Sequence, residues 1–558
     1  MMNARDPSAA GGWLGLVRPT GLVLAAVFFA AALTPSLAPR APLLQGMLGG
    51  VVAAIGYEIG GLIVWLWRFL ELPAPKARWD GRLRRASVAA ALGVVGFALI
   101  RAEDWQNATR RVFGVALVET TDRATIAGVA LTVFATLWLA FRLFGLARLR
   151  LGDWISRVVP PRIAQAVGFA LALWLFWALI DGVLVQRAFR AADLSFEAAD
   201  AFVTPDIPPP SDPGKTGSAA SLVDWAEMGR WGRAFVATAP PAAEIAVFAG
   251  PVAIEPVRVY VGRRAGETAE ARAELALAEL IRAGGFERGA LVVVVPVGTG
   301  WMDPGAHDTL DFMLGGDVAT VAVQYSYLTS VLSLWAHPEY GVDQSRALFE
   351  AVYGYWTRLP VDARPKLYVH GLSQGAFNSQ ATLAILDLLG DPLDGAMWAG
   401  SPFFSAYWRL VREGRAPGSP AWRPAFGNGS LVRTLNQFGG LDGDFAPWGP
   451  IRLVFLNYGS DPIVVFNAGS AWRPPDWMAA PRAPDVAPEL RWFPVVTTFQ
   501  LAVDMAISLD VAGFGHAYIA RDYIDAWAAT LEPEGWSEAR AVALKAIFES
   551  RPGPFVPE

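Results

Sequence analysis

Residues 366–375 read Lys366-Leu-Tyr-Val-His370-Gly371-Leu-Ser373-Gln-Gly375, and this stretch decides the fold of the C-terminal part of the chain. The residues from Lys366 to His370 predict a short buried strand, and Ala376 to Leu389 predict a helix. A sharp strand-to-helix turn with Ser at its apex and Gly two residues to either side is typical of a nucleophile elbow. Glycine is needed at Gly371 and Gly375 because the turn leaves no room there for a Cβ atom. Ser373 is therefore the candidate nucleophile.

A serine hydroxyl becomes reactive when a base takes its proton and an acid orients that base. With an elbow of this kind, the acid and then the base follow the nucleophile along the chain. His516 is the only one of the four histidines that follows Ser373, and it lies in a loop between glycines. It is therefore the candidate base. The other three are His307, His337 and His370.

The acid is expected just after a late strand, between the nucleophile and the base. Residues 451–456 predict that strand, and Asp461 follows it. An Asp before Pro is also a good turn or helix-capping residue, which is the alternative for Asp461. Asp442 and Asp444, in a Gly-rich loop, are the next candidates. Ser401, after the strand at 395–399, lacks the elbow pattern and predicts a turn.

The tetrahedral oxyanion of acyl transfer needs two backbone N–H donors. One is expected from Gln374, the residue after the nucleophile. The other is expected from residues 297–301, a Gly-containing loop after an apolar strand. Thr299 is the first choice there and Gly300 the second. The alternative is a glycine turn with no part in catalysis.

The rest of the C-terminal part alternates strands and helices. Strands are predicted at 257–261, 290–297, 319–324, 366–370, 395–399 and 451–456, and helices at 267–283, 343–357, 376–389 and 519–530. Such an alternation of apolar strands and amphipathic helices predicts a mostly parallel sheet covered on both faces, as in the α/β-hydrolase fold. We expect this domain at 220–558, preceded by a Pro- and Gly-rich linker at 191–219.

Composition points to a membrane domain. The 558 residues are 54% hydrophobic and 17% charged, against about 25% charged in soluble chains. The absence of cysteine excludes disulfides, zinc-thiolate sites and cysteine nucleophiles. A net charge of −5 without a basic run argues against nucleic-acid binding. A serine triad needs no cofactor and no metal, so none is expected. The basic residues are nearly all Arg, a codon-usage pattern of GC-rich bacteria.

Five apolar stretches long enough to cross a bilayer precede residue 190 and define a transmembrane helical domain at 1–190. They lie at about 20–38, 43–67, 86–104, 125–145 and 163–185, of which 86–104 is the weakest. Basic residues concentrate in the connections after the second and fourth stretches, which predicts a cytoplasmic N-terminus. Five spans then place the C-terminal domain outside the cytoplasm of a bacterial inner membrane.

The second span pairs glycines at four-residue spacing, 46/50 and 56/60, which predicts close helix contacts. It also contains Glu58, and the fifth span contains Asp181. Ionisable groups at membrane depth are functional candidates. A hydrogen-bonding latch between helices is favoured here over an ion path. Segment 471–510 is rich in Trp and aliphatic residues and predicts either an interfacial lid or a core helix that covers the sheet.

With these residues in place, the chain resembles a family of bacterial membrane-anchored α/β-hydrolases that join a multi-span N-terminal domain to a serine hydrolase domain. The motifs that carry the resemblance are Leu33-Thr-Pro-Ser-Leu37, Gly229-Arg-Trp-Gly232, Gly298-Thr-Gly-Trp301, His370-Gly-Leu-Ser-Gln-Gly375, Ser460-Asp-Pro462 and Trp492-Phe-Pro494. The resemblance implies Ser373, Asp461 and His516 as the triad, and it implies no particular substrate.

The leading hypothesis is a membrane-anchored serine hydrolase that acts on a carboxylic ester, lipid-like or otherwise. Three alternatives stay open: an acyltransferase that uses the same acyl-enzyme, a catalytically silent hydrolase fold that serves as a receptor or scaffold, and a transporter with an appended domain. The sequence leaves the oligomeric state undetermined.

Overall fold

The computed structural model describes residues 18–73, 80–178, 197, 200–201, 207–328, 338–383 and 390–551. The chain forms two compact units. The helical unit comprises residues 1–184, 466–478 and 484–508, and the sheet unit comprises 185–465, 479–483 and 509–558. Two parts of the segment 466–508 thus belong to the helical unit, although the sequence suggests a continuous domain over 220–558. The expected linker at 191–219 lies partly outside the described residues.

The helical unit is a bundle of mostly apolar helices. Its described helices are α1 (Pro19–Leu33), α2 (Pro42–Phe69), α3 (Asp80–Val112), α4 (Arg123–Ile155) and α5 (Pro161–Trp177), joined by a later helix, Val496–Ala506. Three of them begin with Pro at the first helical position, where the missing N–H costs no hydrogen bond. The glycine pairs of α2 bring helices together: a Cβ at Gly50 would lie 2.6 Å from the Ala130 carbonyl oxygen of α4, and one at Gly60 would lie 2.5 Å from Gly21 of α1.

Three described helices, α2, α3 and α4, are long and apolar enough to cross a membrane. The weakest predicted span, 86–104, is part of the 33-residue α3, because polar residues at both ends continue the helix. The first and fifth predicted spans correspond to the shorter apolar helices α1 and α5, of 15 and 17 residues. The count supported by helix length and composition is therefore three, not five.

Glu58 of α2 faces a cation. Its Oε2 lies 3.6 Å from Nη1 of Arg18, just before α1, and both side chains are partly exposed. The Tyr57 hydroxyl accepts a hydrogen bond from the Arg18 N–H at 3.2 Å. These contacts fit the latch between helices rather than an ion path. Asp181 lies outside the described residues.

The helix Val496–Ala506 packs on α1 and α2, which neither expectation for segment 471–510 describes. Val496 is buried in the core of the helical unit, and Phe493, Phe499 and Val503 pack against that core. The apolar face that predicted either a lid or a helix covering the sheet packs instead on the helices of the bundle.

A buried polar cluster anchors this helix. Asp504 accepts from Nε of Arg40 at 2.9 Å, from the Ser36 hydroxyl at 2.9 Å and from the Leu37 N–H at 3.0 Å. The side chains of Arg40 and Asp504 are both fully buried. The amide of Gln500 donates to the Ala31 carbonyl at the end of α1. The loop after α1 is therefore bound by a helix more than 460 positions later in the chain.

The described part of the sheet unit forms a seven-stranded, fully parallel sheet in the order β1-β3-β2-β4-β5-β7-β6. Its strands are β1 (Val257–Val261), β2 (Ala290–Val295), β3 (Val318–Val323), β4 (Lys366–Leu372), β5 (Gly395–Ala399), β6 (Val432–Leu435) and β7 (Arg452–Leu456). The predicted parallel sheet is confirmed. β2 ends two residues earlier than predicted because Pro296 has no N–H to donate to the ladder. β6 was missed, since it is a four-residue edge strand that contains Arg433.

Helices flank the strands. In chain order they are α6 (Gly229–Ala237), α7 (Ala242–Ala249), α8 (Ala269–Arg282), α9 (Pro304–Met313), α10 (Pro338–Trp356), α11 (Gln374–Thr382), α12 (Ala406–Glu413), the one-turn α13 (Pro462–Val465), α15 (Ala520–Leu531) and α16 (Glu538–Glu549). The label α14 is given to Val496–Ala506, the later helix of the helical unit. The four predicted helices correspond to α8, α10, α11 and α15, and the predicted extension of α11 to 389 lies outside the described residues from 384 on. β4, β5 and β7 are neighbours, so the loops at their C-terminal ends meet at one edge of the sheet.

The buried ion pair leads to a stability prediction. Asp504→Asn removes the charge that compensates Arg40 and leaves a cation buried, which typically costs about 3–5 kcal/mol. We expect a large drop in the thermal unfolding midpoint of the full-length protein in detergent. Asp104→Asn, in the exposed Arg101–Asp104 pair, is the control and should have little effect. Equal midpoints for the two variants would show that Asp504 anchors nothing.

Candidate active site

Ser373 alone separates β4 from α11, in a strained conformation. Its φ is 57° and its ψ is −122°, a region that residues other than glycine rarely adopt. The Ser373 N–H donates to the Ala399 carbonyl of β5 at 3.0 Å, so the neighbouring strand holds the turn. The serine is buried, with 6% of its surface exposed. A strand, a strained serine and a helix in immediate succession are the geometry of a nucleophile elbow.

The two elbow glycines lie where backbones touch. A Cβ at Gly371 would lie 2.4 Å from the carbonyl carbon of Gly375, and a Cβ at Gly375 would lie 2.1 Å from the Val295 carbonyl oxygen. Any side chain at these positions would push α11 away from β4 or from the end of β2. The close packing therefore places the N-terminus of α11 beside the loop that follows β2.

Asp461 follows β7 and is fully buried. Its Oδ1 accepts from the Ile463 N–H at 2.9 Å, and its Oδ2 accepts from Nδ1 of His516 at 2.6 Å. The capping and catalytic interpretations of this residue are thus compatible. One oxygen caps α13 and fixes the carboxylate, and the other is left to orient the imidazole.

His516 is held in a loop that is tied to the acid loop. The Gly515 N–H donates to the Ser460 hydroxyl at 3.0 Å, next to Asp461 in the chain. With Nδ1–H directed at Asp461, the neutral ring carries its lone pair on Nε2. Nε2 is buried and makes no hydrogen bond within the described residues. That atom is therefore available to take a proton.

The end of β5 lies next to both the Ser373 backbone and the His516 ring. Ala399 accepts the N–H of Ser373. At the next residue, Gly400, a Cβ would lie 2.4 Å from Cε1 of His516. Consecutive residues of one strand end thus contact the serine backbone and the imidazole ring.

Tyr518 supports the acid and was missed from the sequence. Its hydroxyl donates to Asp461 Oδ2 at 2.8 Å and accepts from the Tyr458 N–H at 3.2 Å. The Tyr458 and Tyr518 rings stack, with centroids 4.2 Å apart. Burial, followed by the charge of Asp461, raises the pKa of Tyr518 well above its usual value, so it remains a donor at neutral pH. An aromatic residue two positions after the histidine was the only sequence signal.

The loop after β2 distinguishes the two oxyanion candidates. The Gly300 N–H donates to the Val297 carbonyl at 2.8 Å and closes a turn. The Thr299 N–H donates no hydrogen bond within the described residues. The Gln324 amide donates to the Thr299 carbonyl at 2.9 Å and fixes the peptide. The other predicted donor, Gln374, is the first residue of α11 and directly follows Ser373.

The other described histidines are packing residues. Burial lowers the pKa of His370 to about 4, and its Nδ1 lies 2.8 Å from the Met397 carbonyl oxygen. Burial, and then the nearby His370, lower the pKa of His307 well below its usual value. The two rings lie 5.5 Å apart. Both are therefore neutral at physiological pH. His337 lies outside the described residues.

The remaining candidates are not brought to the base. Ser401 is fully buried, with its hydroxyl accepting from Gln380 at 3.0 Å and its N–H donating to Asn457 at 3.0 Å. Its hydroxyl and its N–H are thus both engaged within the sheet unit. Asp442 and Asp444 are exposed in the loop before β7, and it is Asp461 that holds His516.

Comparisons with known proteins agree with this architecture. A model of the alpha/beta-hydrolase family matches residues 257–544, more than half of the chain. A model of an alpha/beta-hydrolase family N-terminus matches residues 33–240. The first range contains every strand of the sheet and the three candidate residues Ser373, Asp461 and His516. No curated protein and no solved structure gives a significant match.

The contact at Gly400 allows a test of the base position. Gly400→Ala should displace the His516 ring and slow the reaction of Ser373 with a fluorophosphonate by roughly 10²-fold, the cost of a misplacement of about 1 Å. Gly427→Ala is a matched control, since both glycines have φ of +55° but a Cβ at Gly427 meets nothing within 4 Å. Gly427→Ala introduces the same backbone strain and should leave the rate of labelling unchanged. Equal losses of rate in the two variants would show that strain, and not displacement of the His516 ring, causes the effect.

Proposed function

Because the chain belongs to the alpha/beta-hydrolase family, we propose that it is a serine hydrolase that cleaves a carboxylic ester through an acyl-Ser373 intermediate. The observation that carries this proposal is the 2.6 Å contact of His516 Nδ1 with Asp461, which leaves Nε2 as a buried proton acceptor. A fold that served only as a scaffold would have no need of a histidine oriented in this way.

The proposed reaction has two half-reactions. Ser373 Oγ attacks the ester carbonyl carbon while its proton passes to Nε2 of His516. The resulting oxyanion is stabilised by the N–H groups of Thr299 and Gln374, each donor of this kind being worth about 3–4 kcal/mol. Collapse of the intermediate breaks the bond to the alkoxy group, which leaves as an alcohol with the proton from His516. A water molecule then gives a proton to Nε2 of His516 while its oxygen adds to the acyl carbon. Collapse of this second intermediate breaks the bond to Ser373 Oγ, which takes the proton back from His516 as the carboxylic acid leaves.

Asp461 orients the imidazole and stabilises the imidazolium that forms in each half-reaction. Tyr518 and the Ile463 N–H hold this carboxylate, one on each oxygen. The buried environment strengthens these interactions compared with water. These contacts support a carboxylate that is held in place before the substrate binds.

The substrate class is proposed from the helical unit. Three helices are long and apolar enough to cross a membrane, which supports a multi-pass protein of the bacterial inner membrane. An enzyme held in a bilayer meets esters of lipids at high local concentration. We therefore favour a lipid-like ester as the substrate.

The side on which the sheet unit lies depends on α5. Basic residues at the start of α3, such as Arg82 and Arg84, favour a cytoplasmic position for the connection between α2 and α3. α4 then returns to the cytoplasm, and α5, with 17 residues, is at the lower limit for a further crossing. Crossing by α5 puts the sheet unit outside the cytoplasm, which is the orientation we propose.

The nucleophile can be tested with an activity-based probe. We expect a fluorophosphonate to label the wild-type protein in native membranes and Ser373→Ala not at all. Hydrolysis of p-nitrophenyl esters should fall by at least roughly 10³-fold in the same variant. Ser401→Ala should keep its labelling, because that hydroxyl is fully buried and accepts a hydrogen bond from Gln380. Labelling that survives in Ser373→Ala would refute the proposed nucleophile.

The orientation has its own test. A reporter that is active only outside the cytoplasm, fused after residue 215, should be active, because α5 is proposed to cross the membrane. The same reporter fused after residue 158, between α4 and α5, should be silent. Activity of a cytoplasmic reporter at position 215 would place the sheet unit inside the cell.

A further inference from the structure

The helical unit contains a cavity of about 310 Å³ between α1, α2, α3 and α4. Its floor is made by small residues, Ala25 and Ala26 of α1 and Ala53 of α2. Its walls include Val95 of α3 and Phe134 of α4. Only Ala, Val, Leu and Phe side chains line it. A volume of this size lies at the lower end of the range for ligand sites.

The cavity opens sideways through the surface of the bundle. Leu92 of α3 and Leu131 of α4 both line it, and each is 68% exposed. Both leucines belong to helices that are long and apolar enough to cross a membrane. The opening therefore faces the region that the hydrocarbon of a bilayer would occupy.

The chemistry of the lining limits what the cavity can hold. A carbon-lined space offers water none of the two to four polar partners that it needs, so it does not hold ordered water. An occupant of matching chemistry is a hydrocarbon. An empty space of this kind is unfavourable, since its lining loses dispersion contacts that an occupant would supply.

The dimensions limit the occupant further. Along α3 the lining runs from Val88 to Val95, and along α4 from Ala127 to Phe134, which is roughly 10 Å at 1.5 Å per residue. A single extended chain fits the narrow space.

We propose that this cavity binds one acyl chain of a membrane phospholipid, which enters between Leu92 and Leu131. The proposal rests on the membrane-embedded part of the proposed function and is independent of the chemistry at Ser373. The bound chain completes the packing of α3 against α1, α2 and α4. Its headgroup stays at the membrane surface, since the lining offers it no polar contact.

Ala91 provides a way to fill the cavity. It is a lining residue of α3, whereas the adjacent Ala90 is exposed and lies outside the lining. Ala91→Phe should place a ring in the space of the acyl chain. Ala90→Phe adds the same ring to the outer surface of the same helix turn and is the matched control.

The test uses the full-length protein in nanodiscs of defined phospholipid that contain a trace of phospholipid with a photoactivatable diazirine in one acyl chain. We expect cross-links to peptides around Leu92 and Leu131 in the wild type and in Ala90→Phe, and at least a fivefold loss in Ala91→Phe. The signal should saturate with probe and be competed by unlabelled phospholipid. Equal labelling in all three proteins, or labelling that never saturates, would mean only annular lipid and overturn the proposal.

A second measurement separates lipid binding from folding. In detergent, added phospholipid should raise the unfolding midpoint of the wild type and of Ala90→Phe, since a ligand that binds only the folded state stabilises it. Ala91→Phe should respond several-fold less while it still folds. A response to free fatty acid but not to phospholipid, or a cross-link between two copies at these leucines, would identify a different occupant and refute the assignment.

Fluorophosphonate labelling of Ser373 and carbonate extraction of membranes are recorded for the same three proteins. Loss of Ser373 labelling in the wild type would count against the proposed hydrolase and leave the cavity result standing. Release of the wild type by carbonate would instead show that the helices are not embedded, and both the membrane proposal and the acyl-chain site would fall.

Discussion

The contact between His516 Nδ1 and Asp461, at 2.6 Å, is the constraint on which the rest of the candidate site depends. It sets the tautomer of the imidazole and thereby makes Nε2 the proton acceptor. It also requires that the loop after β7 and the loop before α15 meet, which the Gly515–Ser460 hydrogen bond secures. The sheet positions the elbow relative to this pair. β4 and β5 are neighbours, and the end of β5 contacts both the elbow and the His516 ring.

The chain between Asp461 and His516 passes through the helical unit. Residues 466–478 and 484–508 fold with the membrane-type helices, and α14 is bound there by the buried Arg40–Asp504 pair. The acid and base are 55 positions apart in sequence, and a flexible loop of that length would lose much conformational entropy on closure. Most of this segment is ordered by packing in the core of the helical unit. Its conformational entropy is therefore lost when the helical unit packs, not when the acid loop meets the base loop. The two units are therefore linked by the chain on either side of α14.

The helical unit combines close packing with one loosely filled region. Glycines of α2 let α1 and α4 approach within contact distance of its backbone, whereas alanines opposite α3 leave an apolar space. In water such a space would remain a defect, but in a bilayer the solvent itself is hydrocarbon. The proposed structural role for lipid and the proposed catalytic role of the sheet unit are thus separate properties of one chain.

The sequence by itself determined the local features whose patterns are short. The strand before Ser373, the close packing at the two elbow glycines and the parallel sheet follow from contiguous residues. The proposed order of nucleophile, acid and base follows from the scarcity of histidines. Tertiary structure alone decided that the Gly300 N–H closes a turn while that of Thr299 does not, that Tyr518 holds Asp461, and that α14 packs on α1 and α2. The reason is physical: these outcomes depend on hydrogen bonds and burial between residues tens to hundreds of positions apart, and an apolar helix carries no local signal of which surface will bury it.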